Sequence, residues 1–106
     1  MALQVVWLKA ALDEVEEIAE YIARDSPRYA TVVVSKLIAA ATPLAELPML
    51  GPMVPEWRDE MVRQRIVYSY RLIYRLRGDR VEIIAVWHGA RQLLSSIRRR
   101  EDPPHQ

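Results

Sequence analysis

From Lys9 onward, apolar residues recur at Leu12, Val15, Ile18, Ala19 and Ile22, with Asp13, Glu14, Glu16, Glu17 and Glu20 set between them. This is the spacing of a helix with one apolar face and one acidic face, and acids in its first turn would suit the positive end of the helix dipole. Ser26-Pro27 supplies a capping hydroxyl followed by a ring already set for the first helical position. The first helix is therefore predicted to stop near Asp25 and a second to begin there. The second carries Ala30, Val33, Leu37, Ala41 and Leu44 along one stripe. Pro43 has no amide hydrogen to donate, so this helix kinks or ends near Thr42. The short link between the two predicts an antiparallel helical hairpin.

The pattern changes on either side of that hairpin. Gln4 to Leu8 alternates weakly and is rich in Val and Trp, which predicts a short first strand. Residues 47–56, LPMLGPMVPE, hold three prolines and one glycine and read as a loop crossing from the helical half to a sheet half. Met61 to Tyr68, Tyr70 to Leu76 and Val81 to His88 follow as strands, and Gly78-Asp79 offers a two-residue turn between the last two. After Gly89, a short helix carrying Leu93, Leu94 and Ile97 is expected to cover the sheet. The tail 101–106 is expected to be disordered. The predicted class is α+β: an N-terminal strand, an antiparallel helical hairpin, then a three-stranded antiparallel meander packed on the helices, with a short C-terminal helix. Residues 1–100 form a single domain in this reading.

If Gly78 and Asp79 are the turn, Arg77 faces Arg80 and the remaining pairs follow. One face of the hairpin then holds Tyr70 with Trp87, Leu72 with Ala85, Tyr74 with Ile83 and Leu76 with Val81, an apolar surface fit to lie under the helices. The other holds Arg71 with Val86, Ile73 with Ile84 and Arg75 with Glu82, and puts His88 diagonally beside Arg71 on a face open to solvent or a partner. A register error of one residue would exchange the faces. Two readings of the second face stand together. An imidazole near neutrality could give a proton to a leaving oxygen while a guanidinium holds a phosphate; alternatively, the face is an ordinary polar one with a cross-strand Arg75 to Glu82 pair.

Composition narrows the chemistry. The 106 residues are 51% hydrophobic and 27% charged, ordinary for one globular domain. There is no cysteine, which excludes disulfides and thiolate metal sites and fits a reducing cytoplasm. No apolar run approaches the roughly 20 residues of a membrane span, and acids follow the N-terminus too soon for a signal peptide, so a cytoplasmic protein without membrane contact is expected. The net charge of +1 hides a segregation: residues 1–57 sum to −4, while residues 58–100 hold eleven arginines, no lysine and a net of +7. Such an arginine surface suits phosphate or carboxylate partners through forked contacts. No phosphate-binding glycine loop occurs. His88 and His105 lack companions for a metal site, so neither a metal nor a cofactor is expected. Trp7, Trp57 and Trp87 read as packing anchors, with Trp57 the one allowed to be exposed.

The element order, together with YRLIYRL at Tyr70 to Leu76, Gly78-Asp79, Val81 to Val86 and His88-Gly89-Ala90-Arg91, resembles the RelE/ParE superfamily of type II toxins. The resemblance runs from Val5 to about Leu94, and EIAEYIARDSP within the helical hairpin looks like the ParE branch. It implies a small bacterial cytoplasmic toxin that inhibits growth, serves plasmid stabilisation and is neutralised by a cognate antitoxin in a hetero-oligomer. RelE-like members resemble ribosome-dependent nucleases that cut messenger RNA, whereas ParE-like members act on DNA gyrase. For the nuclease, the resemblance implies Glu56 as base, Arg71 on the scissile phosphate and His88 as acid. Gly89 stands where those nucleases carry a tyrosine, however, and the only lysines, Lys9 and Lys36, lie in the helical half. The His-Gly-x-Arg ending is more typical of the ParE branch. The expectation is therefore a ParE-like gyrase inhibitor using Arg63, Arg65, Arg71, Arg75, His88 and Arg91 as a contact surface for target or antitoxin.

Overall fold

Residues 2–89 are described in the computed structural model; the expected helix with Leu93, Leu94 and Ile97, the tail 101–106 and Arg91 lie outside them. In chain order the elements are strand β1 (Gln4–Trp7), helix α1 (Lys9–Ala23), helix α2 (Pro27–Ala41), a 3-10 turn (Thr42–Ala45), and strands β2 (Val62–Val67), β3 (Tyr70–Arg77) and β4 (Arg80–His88). The helical hairpin and the β2-β3-β4 meander are those expected. β1 joins the meander as a fourth strand, parallel to β4 with Gln4 opposite Arg80 and Trp7 opposite Ile83, giving the order β1-β4-β3-β2.

Local chemistry accounts for most helix boundaries. The Ser26 hydroxyl accepts a hydrogen bond from the Tyr29 amide at 3.0 Å, with Pro27 opening α2. Pro43 ends α2 at Ala41, and the chain tightens into the 3-10 turn, which still delivers Leu44 to the core. One expectation for α1 fails. The helix already starts at Lys9, so its first turn holds no acid, and Asp13 instead pairs with Lys9 at 2.9 Å. Its buried residue is Ala11, while Leu12 is exposed.

The two faces of the sheet are covered differently. Under the helices, Val33, Leu37 and Leu44 pack on Leu72, Tyr74, Val81, Ile83 and Val86; full burial of each such aliphatic side chain is worth about 1.5–3 kcal/mol. The opposite face carries a second apolar cluster of Val54, Val62, Ile73, Ile84, Ala85 and Trp87, with Leu8 and Trp57 packed against it. This face was expected to be open. Instead the proline-rich loop folds back over it: the Val54 amide donates to the Val62 carbonyl at 3.2 Å and the Gln64 amide to the Pro52 carbonyl at 3.0 Å. Trp57 is accordingly half-buried. The turn back requires Gly51, where a Cβ would stand 2.1 Å from the Gln64 carbonyl oxygen. Tyr74, buried under the helices, reaches the same loop through its phenol, which donates to the Pro48 carbonyl at 2.8 Å and accepts from the Gly51 amide at 3.0 Å.

The β3-β4 pairing departs from the expected register midway. From the turn, with Gly78 at φ +61°, Arg77 faces Arg80, Arg75 faces Glu82 and Tyr74 faces Ile83, as expected. Ile73 then pairs with Ala85, leaving Ile84 as an extra residue in β4. A bulge of this kind lets two successive residues share a face, and Ile84 and Ala85 both enter the second cluster. Beyond it every assignment is reversed: Val86 lies under the helices, Trp87 pairs with Arg71, and His88 pairs with Tyr70. His88 and Arg71 therefore do not share a face.

Candidate functional site

Among the described residues of the expected contact surface, Arg71 is the most enclosed, 9% exposed. β3 aims it at the loop-covered face, where its Nε donates to Gln64 Oε1 at 2.8 Å and its two terminal nitrogens meet the Glu56 carboxylate at 3.1 and 3.3 Å. This is the forked geometry that makes arginine-carboxylate pairs strong. The hydrogen bonds from Arg71 hold the Glu56 carboxyl below the usual carboxylate range against the opposing effect of its partial burial. Glu56 and Arg71 are brought together, but as each other's partners.

His88 lies at the other surface. Its ring meets the edge of Tyr70 with 5.2 Å between centroids, and with Glu17, Ile18 and Tyr21 of α1 the two line a cavity. Burial pushes the Tyr70 phenol up, and the phenols of Tyr29 and Tyr21 add to the effect. Tyr29 stacks at a tilt on Tyr68, 6.2 Å away, and Tyr68 sits in the β2-β3 turn at φ +55°. For an aromatic residue that backbone is costly, on the order of 1–3 kcal/mol, and such strain gathers at functional sites.

Of the other described arginines in the sheet, Arg63 and Arg65 hold loop and helix, while Arg75, Arg77 and Arg80 gather at the hairpin tip. Arg63 donates to the carbonyls of Glu60 at 2.9 Å and Gly51 at 3.0 Å, and Arg65 to the Ala40 carbonyl at the end of α2 at 3.0 Å. Both tie segments of the fold together. Arg75 pairs with the buried Glu82 at 3.1 Å, as expected from sequence, and Arg80 and Arg77 approach the same carboxylate at 2.8 and 3.8 Å. Three guanidinium groups around one carboxylate leave this end of the hairpin positive. No group of His, Asp and Glu among the described residues could hold a metal ion.

Glu14 escaped the sequence reading, which placed it on the polar side of α1. It points inward, accepting from the Val86 amide at 2.9 Å and from the Trp87 indole nitrogen. β1 ends at Trp7, opposite Ile83, so this carboxylate serves the stretch of β4 edge that the strand does not reach. Its position three residues after buried Ala11 and four before Ile18 was the available signal.

Comparison with known proteins agrees with this architecture. The model of the ParE toxin of the type II toxin-antitoxin system parDE matches residues 5–93. The toxin RelE2 of Caulobacter vibrioides is 34% identical over 88 residues, covering 83% of this chain and 97% of that protein. A putative toxin, Y4kP, of Sinorhizobium fredii is 36% identical over 90 residues, covering 84% and 91%. In three dimensions, a chain from the chromosomal ParDE toxin-antitoxin system of P. aeruginosa superposes with a TM-score of 0.70 at 18% identity, covering 83% of this chain and 97% of that one. A helical hairpin on a four-stranded sheet, matched by a family model over most of the chain and by relatives over nearly their whole length, places this protein in the ParE toxin family, among the RelE/ParE toxins of type II toxin-antitoxin systems.

Proposed function

We propose that the chain acts as a ParE-like inhibitor of DNA gyrase, held inactive in a hetero-oligomer with a cognate antitoxin, rather than as a ribosome-dependent ribonuclease. The observation that carries this reading is the separation of Arg71 from His88 on opposite faces of the sheet. Cleaving a phosphodiester by acid-base chemistry needs a base, an acid and a charge stabiliser around one phosphate. Here the candidate base and stabiliser neutralise each other, and the candidate acid faces another way. A carboxylate held by a guanidinium is also a weak base. Gly89 after His88 and the absence of lysine from the sheet half point in the same direction. The positive hairpin tip favours an acidic, amphipathic antitoxin segment.

Supercoiling by purified gyrase and cleavage of ribosome-bound messenger RNA, assayed with the same preparation, test the reading. Loss of supercoiling with intact message is expected. Message cleavage that His88→Ala abolishes, with supercoiling untouched, would show the reading to be wrong. Growth unaffected by expression without the antitoxin would instead mark a chain that binds its antitoxin and poisons nothing.

A further inference from the structure

Three tyrosines, Tyr21, Tyr29 and Tyr68, stand exposed at the end of the molecule where α1 and β4 finish. Beside them is a cavity of about 390 Å³ lined by Glu17, Ile18, Tyr21, Tyr70 and His88, within the range of about 300–1,000 Å³ typical of ligand sites. Ile18 packs against the core beneath the helices and so anchors part of the cavity's lining. The Tyr70-His88 edge contact fixes one wall, and Tyr21, 68% exposed, forms another.

The lining decides what could enter. Ring faces of tyrosine carry negative potential, and the one formal charge that lines the cavity among the described residues is the Glu17 carboxylate. Tyr21 already takes a guanidinium, since Arg24 lies 5.7 Å from its ring centroid. A platform for nucleic-acid bases would pair its aromatic rings with basic groups that follow the phosphates; here the charge among the described lining residues is that of Glu17, and the nearby Arg24 guanidinium lies against the Tyr21 ring. The strained backbone of Tyr68 adds a second observation. Glycine or asparagine would suit that turn better, yet an exposed aromatic residue is held there in contact with Tyr29.

We propose that this cavity is a binding site for a cationic side chain, an arginine or lysine presented by a partner polypeptide, gripped between the rings of Tyr21 and Tyr70 and paired with Glu17. The site is separate from the arginine-rich hairpin tip and does not depend on whether gyrase is the target.

N-acetyl-argininamide serves as the probe, titrated into the full chain while the ring signals of Tyr21, Tyr70 and His88 are followed by NMR. Saturable shifts confined to those rings are expected. Neutral N-acetyl-norleucinamide should bind about fivefold or more weaker, and Glu17→Gln should cost the cationic probe about the same factor. Tyr21→Ala, at an exposed position that folding does not need, should remove the shifts. Equal binding of the two probes would overturn the proposal in favour of a merely apolar pocket. Stronger binding of adenosine monophosphate would overturn it in favour of base stacking, and absence of saturation with any probe would remove the site altogether.

Discussion

The face of the sheet under the helices and the face under the proline-rich loop are both apolar, yet they are closed by different means. Beneath α1 and α2 the cover is a continuous aliphatic surface, with Val33, Leu37 and Leu44 each fully buried. On the loop side, Val54 is fully buried and Trp57 only half so, and much of the attachment is polar: Arg71 on Glu56 and Gln64, Arg63 on the Gly51 carbonyl, Tyr74 on Pro48 and Gly51. Apolar burial is non-directional and tolerates small shifts, whereas a forked ion pair and a phenol with two partners hold one geometry. The difference explains how a segment without regular structure can be positioned over a sheet, and why its detachment should cost less than breaching the helical side.

The largest effect is expected from Leu37→Ala, which leaves a cavity at the centre of the helical side. A loss of about 3 kcal/mol should appear as a lower urea midpoint with an unchanged slope. Arg71→Ala should cost about 2 kcal/mol by stranding Gln64 and Glu56. Hydrogen exchange at Val54 and Trp57 should accelerate while the amides of α2 keep their protection; equal acceleration on both sides would break the distinction. Tyr74→Phe removes the phenol and leaves the ring, so about 1–2 kcal/mol is expected, with faster exchange at the Gly51 amide. The smallest effect concerns pH. Since Arg71 lowers the folded pKa of Glu56, the pair's contribution is present above the ordinary carboxylate range and fades as pH falls through the lowered value. The Glu56 side chain is 33% exposed, so solvent screening keeps this below about 1 kcal/mol. Denaturation of the parent chain and Glu56→Gln should therefore converge as pH falls below the ordinary carboxylate range and through the lowered Glu56 value.

The same contrast governs what could be read from the residues alone. The helical side was legible because its signals are local and periodic: the stripe of α2, Ser26-Pro27 at its start, Pro43 at its end, and Gly78-Asp79 in the hairpin. The loop side was not, because its attachment joins residues far apart in sequence, Glu56 with Arg71 and Gly51 with Tyr74, and irregular backbone has no period to follow. The extra residue at Ile84 was hidden for another reason. Val81 to Trp87 is apolar apart from Glu82, so either phase of the strand buries apolar groups, and alternation carried no information on where the phase changes. The pairing of Arg75 with Glu82 lies before the bulge and was legible; the placing of His88 lies beyond it and came out inverted.

The bulge also bears on how this family can diversify. Because strand side chains alternate, whether one residue is bulged or paired decides which of two neighbourhoods a distant histidine joins. With Ile84 bulged out of the ladder, His88 pairs with Tyr70 and meets the aromatic cavity; the same residues paired without a bulge would turn His88 to the face of Arg71. Two homologues could thus share the arginine, the histidine and nearly the same spacing while presenting different surfaces to the cell. A change of role would then require no new functional side chain, only the gain or loss of the bulge in the strand between them.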